Sequence, residues 1–412
     1  MPRTVEAGAP KNLTVPEHEL LLLCSRTRLE APALLRLDGI LDGAIDWTAV
    51  LAYGDIHGTG PLLYHHLREP GRGRIPEAVL EGLRTRSVAA AARSLMLTAE
   101  LGALFDALEA ADAPALVWKG PVLAHSIYPS PELRPFRDLD IIVRREDVDR
   151  MRRVLEARGY SPRPGPSEDG KELFREANQD VTMWNPRTGV LVDVHWGAMK
   201  RYFSSAMDSD ALWTEGQRTD LNGWVVRTLP PTMSLIALSL HGAKHGPFPW
   251  PELKWITDVE GFVRAHPTDA WSPLLARARA LGCHRAVLLG LLLAKELLDA
   301  PLPPEVEADL DRDNVVATLI PAIRDRLLSL HPAPFPLGER LQFDLAVRER
   351  LRDRLRYRAA RLLTPGRRDV GGLPTPLGFL RVPLRLSRLA GRYLLRPSRL
   401  RDLFEGRGTP PD

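Results

Sequence analysis

Asp138 and Asp140, two residues apart in the run FRDLDIIV, are the side chains whose types and spacing point most directly to chemistry. The apolar, β-branched run around them predicts a strand, and the period-two alternation of a strand puts both carboxylates on one face. Like charges so close on a buried strand raise one another's pKa unless a positive group offsets them. A magnesium or manganese ion suits such a pair. Magnesium takes oxygen ligands from one or two carboxylates and from substrate phosphates. Asp193, in LVDVHW on a later predicted strand, is a third candidate ligand and would complete a two-metal site for in-line phosphoryl chemistry.

Upstream, Lys119, Gly120 and Pro121 form a turn between the apolar run APALVW and the helical pattern VLAHSIY. Backbone N–H groups at a strand-to-helix turn favour a phosphate, and Lys119 adds a mobile positive charge. Arg134 and Arg137 precede the carboxylates, placed to reach triphosphate oxygens or to neutralise the acidic pair. His241 and His245 are four apart and share a helical face. The residues between them, Gly242, Ala243 and Lys244, do not make the HExxH pattern of a zinc enzyme, so a packing or pocket role beside Lys244 and Asp258 is expected.

The elements that must position these residues follow from periodicity. From Pro16 to about residue 110 the pattern is helical, and Ala78 to Ala110, free of proline, predicts one long helix or two abutting ones. The order strand, turn, helix, strand, helix follows. Two further strands, DVTMWNP and VLVDVHW, are joined by NPRTG, which is good hairpin chemistry. Helical patterns return after Pro230. The fold class expected is α+β, with a small mixed-sheet core over 111–228 between helical regions at 16–110 and 229–350. A disordered N-terminus over 1–15 and an Arg-rich tail over 351–412 complete the division. In that tail Arg381, Arg385, Arg388 and Arg392 recur at helical spacing on one face, with Val382, Leu386, Leu389 and Tyr393 on another. Such a basic amphipathic helix suits an anionic membrane surface, nucleic acid or an acidic partner, or docks its apolar stripe on the rest of the chain.

Of the 56 basic residues, 49 are Arg and seven are Lys, against 52 acidic residues. Cys24 and Cys283 offer neither a disulfide framework nor CxxC metal spacing. The apolar run Leu20 to Cys24 is too short for a signal-peptide core, and no continuous run approaches the roughly 20 apolar residues that span a bilayer. A cytoplasmic location is the expectation.

The run KGPVLAHSIYPSPELRPFRDLDIIV followed by VLVDVHW resembles an uncharacterised bacterial nucleotidyltransferase-like family of the DNA polymerase beta superfamily. The matching positions are Lys119, Gly120, Tyr128, Arg137, Asp138, Asp140, Asp193, His195 and Trp196. HGAKH at His241 to His245 and LKWITDV at Leu253 to Val259 are similar to the family's downstream helical motif, so the resemblance spans roughly residues 20 to 300. It implies a nucleotidyltransferase fold with a magnesium-bound NTP, ATP first, as donor, Asp138, Asp140 and Asp193 as ligands, and Asp193 as a base for the acceptor. It leaves the acceptor, a small molecule or a peptide, undefined. The chain departs from the wider superfamily at Gly120-Pro121, where Gly-Ser or Gly-Gly is usual. Pro121 removes one N–H from the phosphate grip, for which Lys119 can compensate. Two other readings compete: a glycosyltransferase using Asp138-Leu139-Asp140 as its metal motif, and a non-catalytic module of the same fold that binds through its basic tail.

Overall fold

In a computed structural model, which describes residues 15–162, 180–196, 211–244, 246–267 and 271–363 together with Ser387, five helices come first. They are α1 (Val15–Cys24), α2 (Ala31–Leu41), α3 (Trp47–His57), α4 (Gly60–Leu67) and α5 (Glu77–Ala110). Rich in Ala and Leu and without proline, α5 runs unbroken for 34 residues. By length and composition it is apolar enough to cross a membrane, although no continuous apolar run announces it. Here it is a spine of the fold, burying Leu97, Leu101, Leu104 and Leu108 against the sheet.

The sheet follows: β1 (Ala115–Val117), α6 (Pro121–Ile127), β2 (Leu139–Val143), α7 (Val148–Ala157), β3 (Ser161–Pro162), β4 (Asp180–Asn185) and β5 (Val190–His195). A short helix, α8 (Ala211–Thr214), leads to a last hairpin, β6 (Gln217–Leu221) and β7 (Trp224–Thr228). The seven strands lie in the order β3-β4-β5-β2-β1-β7-β6, parallel at β2–β5 and β1–β7 and antiparallel elsewhere. The sheet is thus mixed, and the chain is α+β. The β6–β7 pair, unforeseen from the sequence, turns at Asn222 and Gly223, both with positive φ (57° and 91°), as a tight hairpin turn with a right-handed strand twist requires.

Eight helices complete the described chain: α9 (Pro231–Lys244), α10 (Leu253–Ala265), α11 (Trp271–Leu281), α12 (His284–Leu298), α13 (Pro304–Arg312), α14 (Asn314–Leu327), α15 (Leu337–Ala346) and α16 (Leu351–Leu363). The N-terminal helices and these C-terminal ones, far apart in sequence, share one hydrophobic core, in which Leu20, Leu37 and Leu63 join Leu240, Ile256 and Leu288. Polar ties stitch the halves together. Thr27 donates from its N–H (3.0 Å) and its hydroxyl (2.8 Å) to Glu260, and Thr257 donates to the carbonyl of Ser25 (2.9 Å). The N-terminal 1–14 segment, His245 and the predicted tail helix bearing Arg381, Arg385, Arg388 and Arg392 lie outside the described residues.

The alternation of the strands assigns the two faces of the sheet. Leu139, Ile141 and Val143 of β2 and Val190, Val192 and Val194 of β5 enter a second core with α5 and α7. Asp140, Asp193 and His195 therefore face the other way, toward the helical body.

Candidate functional site

On that other face the register does the assembling. β2 and β5 run parallel with Asp140 directly beside Asp193. β4 adds Thr182 opposite Asp193 and Asp180 opposite His195. From the other side the antiparallel pairing of Val117 with Ile141 carries the next residues, Trp118 and Lys119, past Asp140. Asp138 stands one residue before β2, on the side of Asp140 by strand alternation.

A cavity of about 630 Å³ opens over these residues, within the range of small-molecule sites. Its sheet wall holds Lys119, Gly120, Asp138, Asp140 and Asp193, with Arg137 exposed at its edge. The facing wall comes from α9 and α10 and the segment between them, which present His241, Lys244, Glu252, Lys254 and Trp255. The rings of Trp118, His241 and Trp255 form a continuous edge-to-face row, with centroids 5.7 Å and 4.6 Å apart. The indole N–H of Trp118 is buried and has no hydrogen-bond partner among the described residues.

The three carboxylates are not equivalent. Asp140 is buried, and its Oδ1 takes Lys119 Nζ at 3.0 Å and His195 Nε2 at 3.1 Å. Burial works to raise its pKa, but Lys119 and the His195 hydrogen bond outweigh it and hold the group well below the usual carboxylate range. Asp138 is half-buried and has no ion pair or hydrogen bond among the described residues; desolvation and then the charge of Asp140 push its pKa up. Asp193 is likewise raised, by burial first and by Asp140 next, against the 2.5 Å hydrogen bond it accepts from the Thr182 hydroxyl.

These donors fit a magnesium ion. Asp138 is an oxygen donor held in a mostly buried wall with no cation of its own, and hard oxygen donors are what the ion prefers. Among the described residues no group of three His, Cys, Asp or Glu side chains is placed to hold a metal ion by itself. Magnesium does not require one, since it draws the rest of its shell from phosphates and water.

Of the two arginines expected at the triphosphate or the acidic pair, Arg137 lies at the exposed edge of the cavity and Arg134 lines it, held by a partner of its own. Arg134 is buried and bound bidentately to Asp258 of α10, with Nε to Oδ1 and the second guanidinium nitrogen to Oδ2, both at 2.7 Å. Tyr128 donates to the same carboxylate at 2.8 Å, and Arg134 also reaches the carbonyl of Gly120 at 3.4 Å. Planar fork geometry fixes such a pair in one orientation. The network pins the helical body to the Lys119-Gly120 turn, where Gly120 adopts φ +58°, a conformation that side chains resist. Thr182, Asp180, Trp118 and Glu252 were not singled out by sequence, and Lys254 and Trp255 entered only as part of the LKWITDV motif. Only Thr182 and Asp180 carried a usable signal there, by alternating along a strand whose partner held Asp193.

A mixed sheet that carries an Asp-x-Asp strand beside a second carboxylate strand, roofed by helices that close a cavity over them, defines the class: a nucleotidyltransferase-type fold. The chain belongs to the uncharacterised nucleotidyltransferase family, which it matches over residues 43–299. That span contains both walls of the cavity from Trp118 to Asp258, so a general nucleotidyl-transfer role comes with the family. Comparisons with curated proteins and with solved structures give no match.

Proposed function

We propose that the protein transfers a nucleotidyl group from a magnesium-bound NTP, with ATP as the first candidate, to a hydroxyl, amine or phosphate of a small acceptor bound in the same cavity. The observation that carries the proposal is the gathering of Asp138, Asp140 and Asp193 on one face of two adjacent strands, in a cavity that also holds Lys119. An ion bound there would supply Lewis-acid stabilisation of charge on the triphosphate. Lys244 and Lys254, on the facing wall, lie where they attract the anionic donor. The row of Trp118, His241 and Trp255 gives a planar or ring-bearing group a surface to stack on.

In the reaction the acceptor oxygen or nitrogen forms its bond to the α-phosphorus as the bond to the pyrophosphate oxygen breaks. Asp193 accepts the acceptor's proton on a carboxyl oxygen. Lys119 keeps Asp140 ionised and in place.

Calorimetric titration of ATP, GTP, CTP, UTP and UDP-glucose, with and without magnesium, tests the proposal. Magnesium-dependent NTP binding that is lost in the Asp138→Ala, Asp140→Ala double variant is expected. Selective binding of UDP-glucose would replace this reading with sugar transfer, and failure to bind any nucleotide would sink the enzyme altogether.

A further inference from the structure

Two closely spaced ions commonly share a carboxylate, and here the candidate for sharing, Asp140, already takes two donors on one of its oxygens. Its Oδ1 receives the Lys119 ammonium at 3.0 Å and the His195 imidazole at 3.1 Å, with the carboxylate itself buried. Lys119 does not reach Asp140 by chance. The β1–β2 register delivers it there, its side chain is mostly buried, and its Nζ lies 4.4 Å from the centroid of the Trp118 ring, a cation–π distance. Three independent constraints thus hold one ammonium against one carboxylate.

The remaining positive groups of the wall do not change this. Arg134 is committed to Asp258, Lys254 is paired with Glu252 at 3.1 Å, Lys244 stands on the facing wall at the end of α9, and Arg137 lies at the exposed edge. What the strands leave uncompensated is Asp138 and Asp193, and two carboxylates are as many as a magnesium ion bound with nucleotide usually takes from a protein.

We propose that Lys119 stands in place of a second metal ion, so that the site takes a single divalent cation on Asp138 and Asp193 together with the triphosphate. The inference rests on the nucleotidyltransferase reading and sharpens it. Asp140 becomes a positioning residue, holding the ammonium at the phosphate end of the cavity. Lys119 supplies there a fixed charge of one that needs no free metal, so the enzyme saturates in a single magnesium-binding step.

The test counts ions. Manganese binding to the full chain, in the presence of a non-hydrolysable ATP analogue, is followed by electron paramagnetic resonance and by calorimetry. One ion per chain is expected for the protein itself and for Lys119→Arg, and two for Lys119→Met, which frees Asp140 while keeping a side chain of similar length. Asp140→Asn should still bind one ion, whereas Asp138→Asn and Asp193→Asn should each weaken it at least tenfold. Two ions in the unmodified protein overturn the proposal and leave nucleotidyl transfer standing. One ion in Lys119→Met shows that the ammonium does not stand in a second ion's place, and loss of the ion in Asp140→Asn places the metal on Asp140; either result overturns the proposal. Nucleotide analogue bound with no ion at all removes the metal-dependent reading, and this inference with it. Thermal unfolding of each variant identifies any that fail to fold, and the count in the unmodified chain decides even then.

Discussion

The two walls of the cavity treat buried charge in opposite ways. On the helical side Asp258 is answered by Arg134 and Tyr128, and behind the wall Glu260 is answered by Thr27 and Arg264. On the sheet side three carboxylates crowd two strands and only Asp140 has a cation. Desolvation is severe on both sides, so the difference lies in what each wall is for. Answered charge locks one arrangement, whereas unanswered charge is tolerated only where something else arrives to balance it. If this contrast is right, substitutions on the two walls should move stability in opposite directions.

The largest effect should come from breaking the Arg134–Asp258 pair. Asp258→Ala leaves the Arg134 guanidinium buried and unpaired, so unfolding in urea should show a loss of about 3–5 kcal/mol. Replacing both partners with apolar residues, Asp258→Leu with Arg134→Met, should recover most of it, because no orphaned charge remains. A double variant as unstable as the single one would mean that the pair, rather than the absence of an orphan, holds the interface.

Acid comes next. In the helical body His57 is buried and His66 partly so, desolvation being the main cause that lowers the pKa of each to about 4 from 6.5. The unfolded chain takes up those protons as pH falls below about 6.5 and the folded chain does not until about 4, so stability declines across that window. Each histidine accounts for about 3 kcal/mol by pH 4. Asp138 and Asp193 work with the opposite sign. Their raised pKa values destabilise the metal-free fold at neutral pH, and that penalty is relieved as pH falls through them. Urea midpoints between pH 7.5 and 4.5 should therefore flatten in a His57→Gln, His66→Gln variant. An unchanged slope would place the acid sensitivity elsewhere.

The same division explains what could be read from the sequence. The face bearing Asp138, Asp140 and Asp193 was legible because alternation along a strand is local, and LVDVHW states which residues turn inward. The long helix was legible for the same reason. The β6–β7 hairpin had a local sign, the Asn222-Gly223 pair, that went unread, while the parallel pairing of β1 with β7 had none. Arg134 was placed at the triphosphate or the acidic pair, and its pairing with Asp258 was not legible because that partner lies 124 residues away and no short-range pattern links them. That Lys119 would also meet Asp140 was hidden for a similar reason: the contact depends on which strand β1 pairs with. Residue types announced the chemistry, and long-range pairing decided which charges were available for it.

The smallest expected change is the most discriminating. Asp138→Asn removes a carboxylate that is raised in pKa by burial and by its neighbour Asp140 and that has no partner among the described residues. In metal-free buffer it should therefore stabilise the fold by about 0.5–1 kcal/mol, as relief of an unfavourable functional group commonly does. The same substitution should abolish metal-dependent nucleotide binding. On the helical wall Asp258→Asn should do the reverse, lowering the melting temperature because the amide cannot match the charge of the Arg134 fork. A gain in melting temperature coupled to loss of binding marks a residue held for its ligand. If Asp138→Asn instead melts early, as Asp258→Asn should, then Asp138 is part of the scaffold, and the sheet wall is no more a binding surface than the helical one.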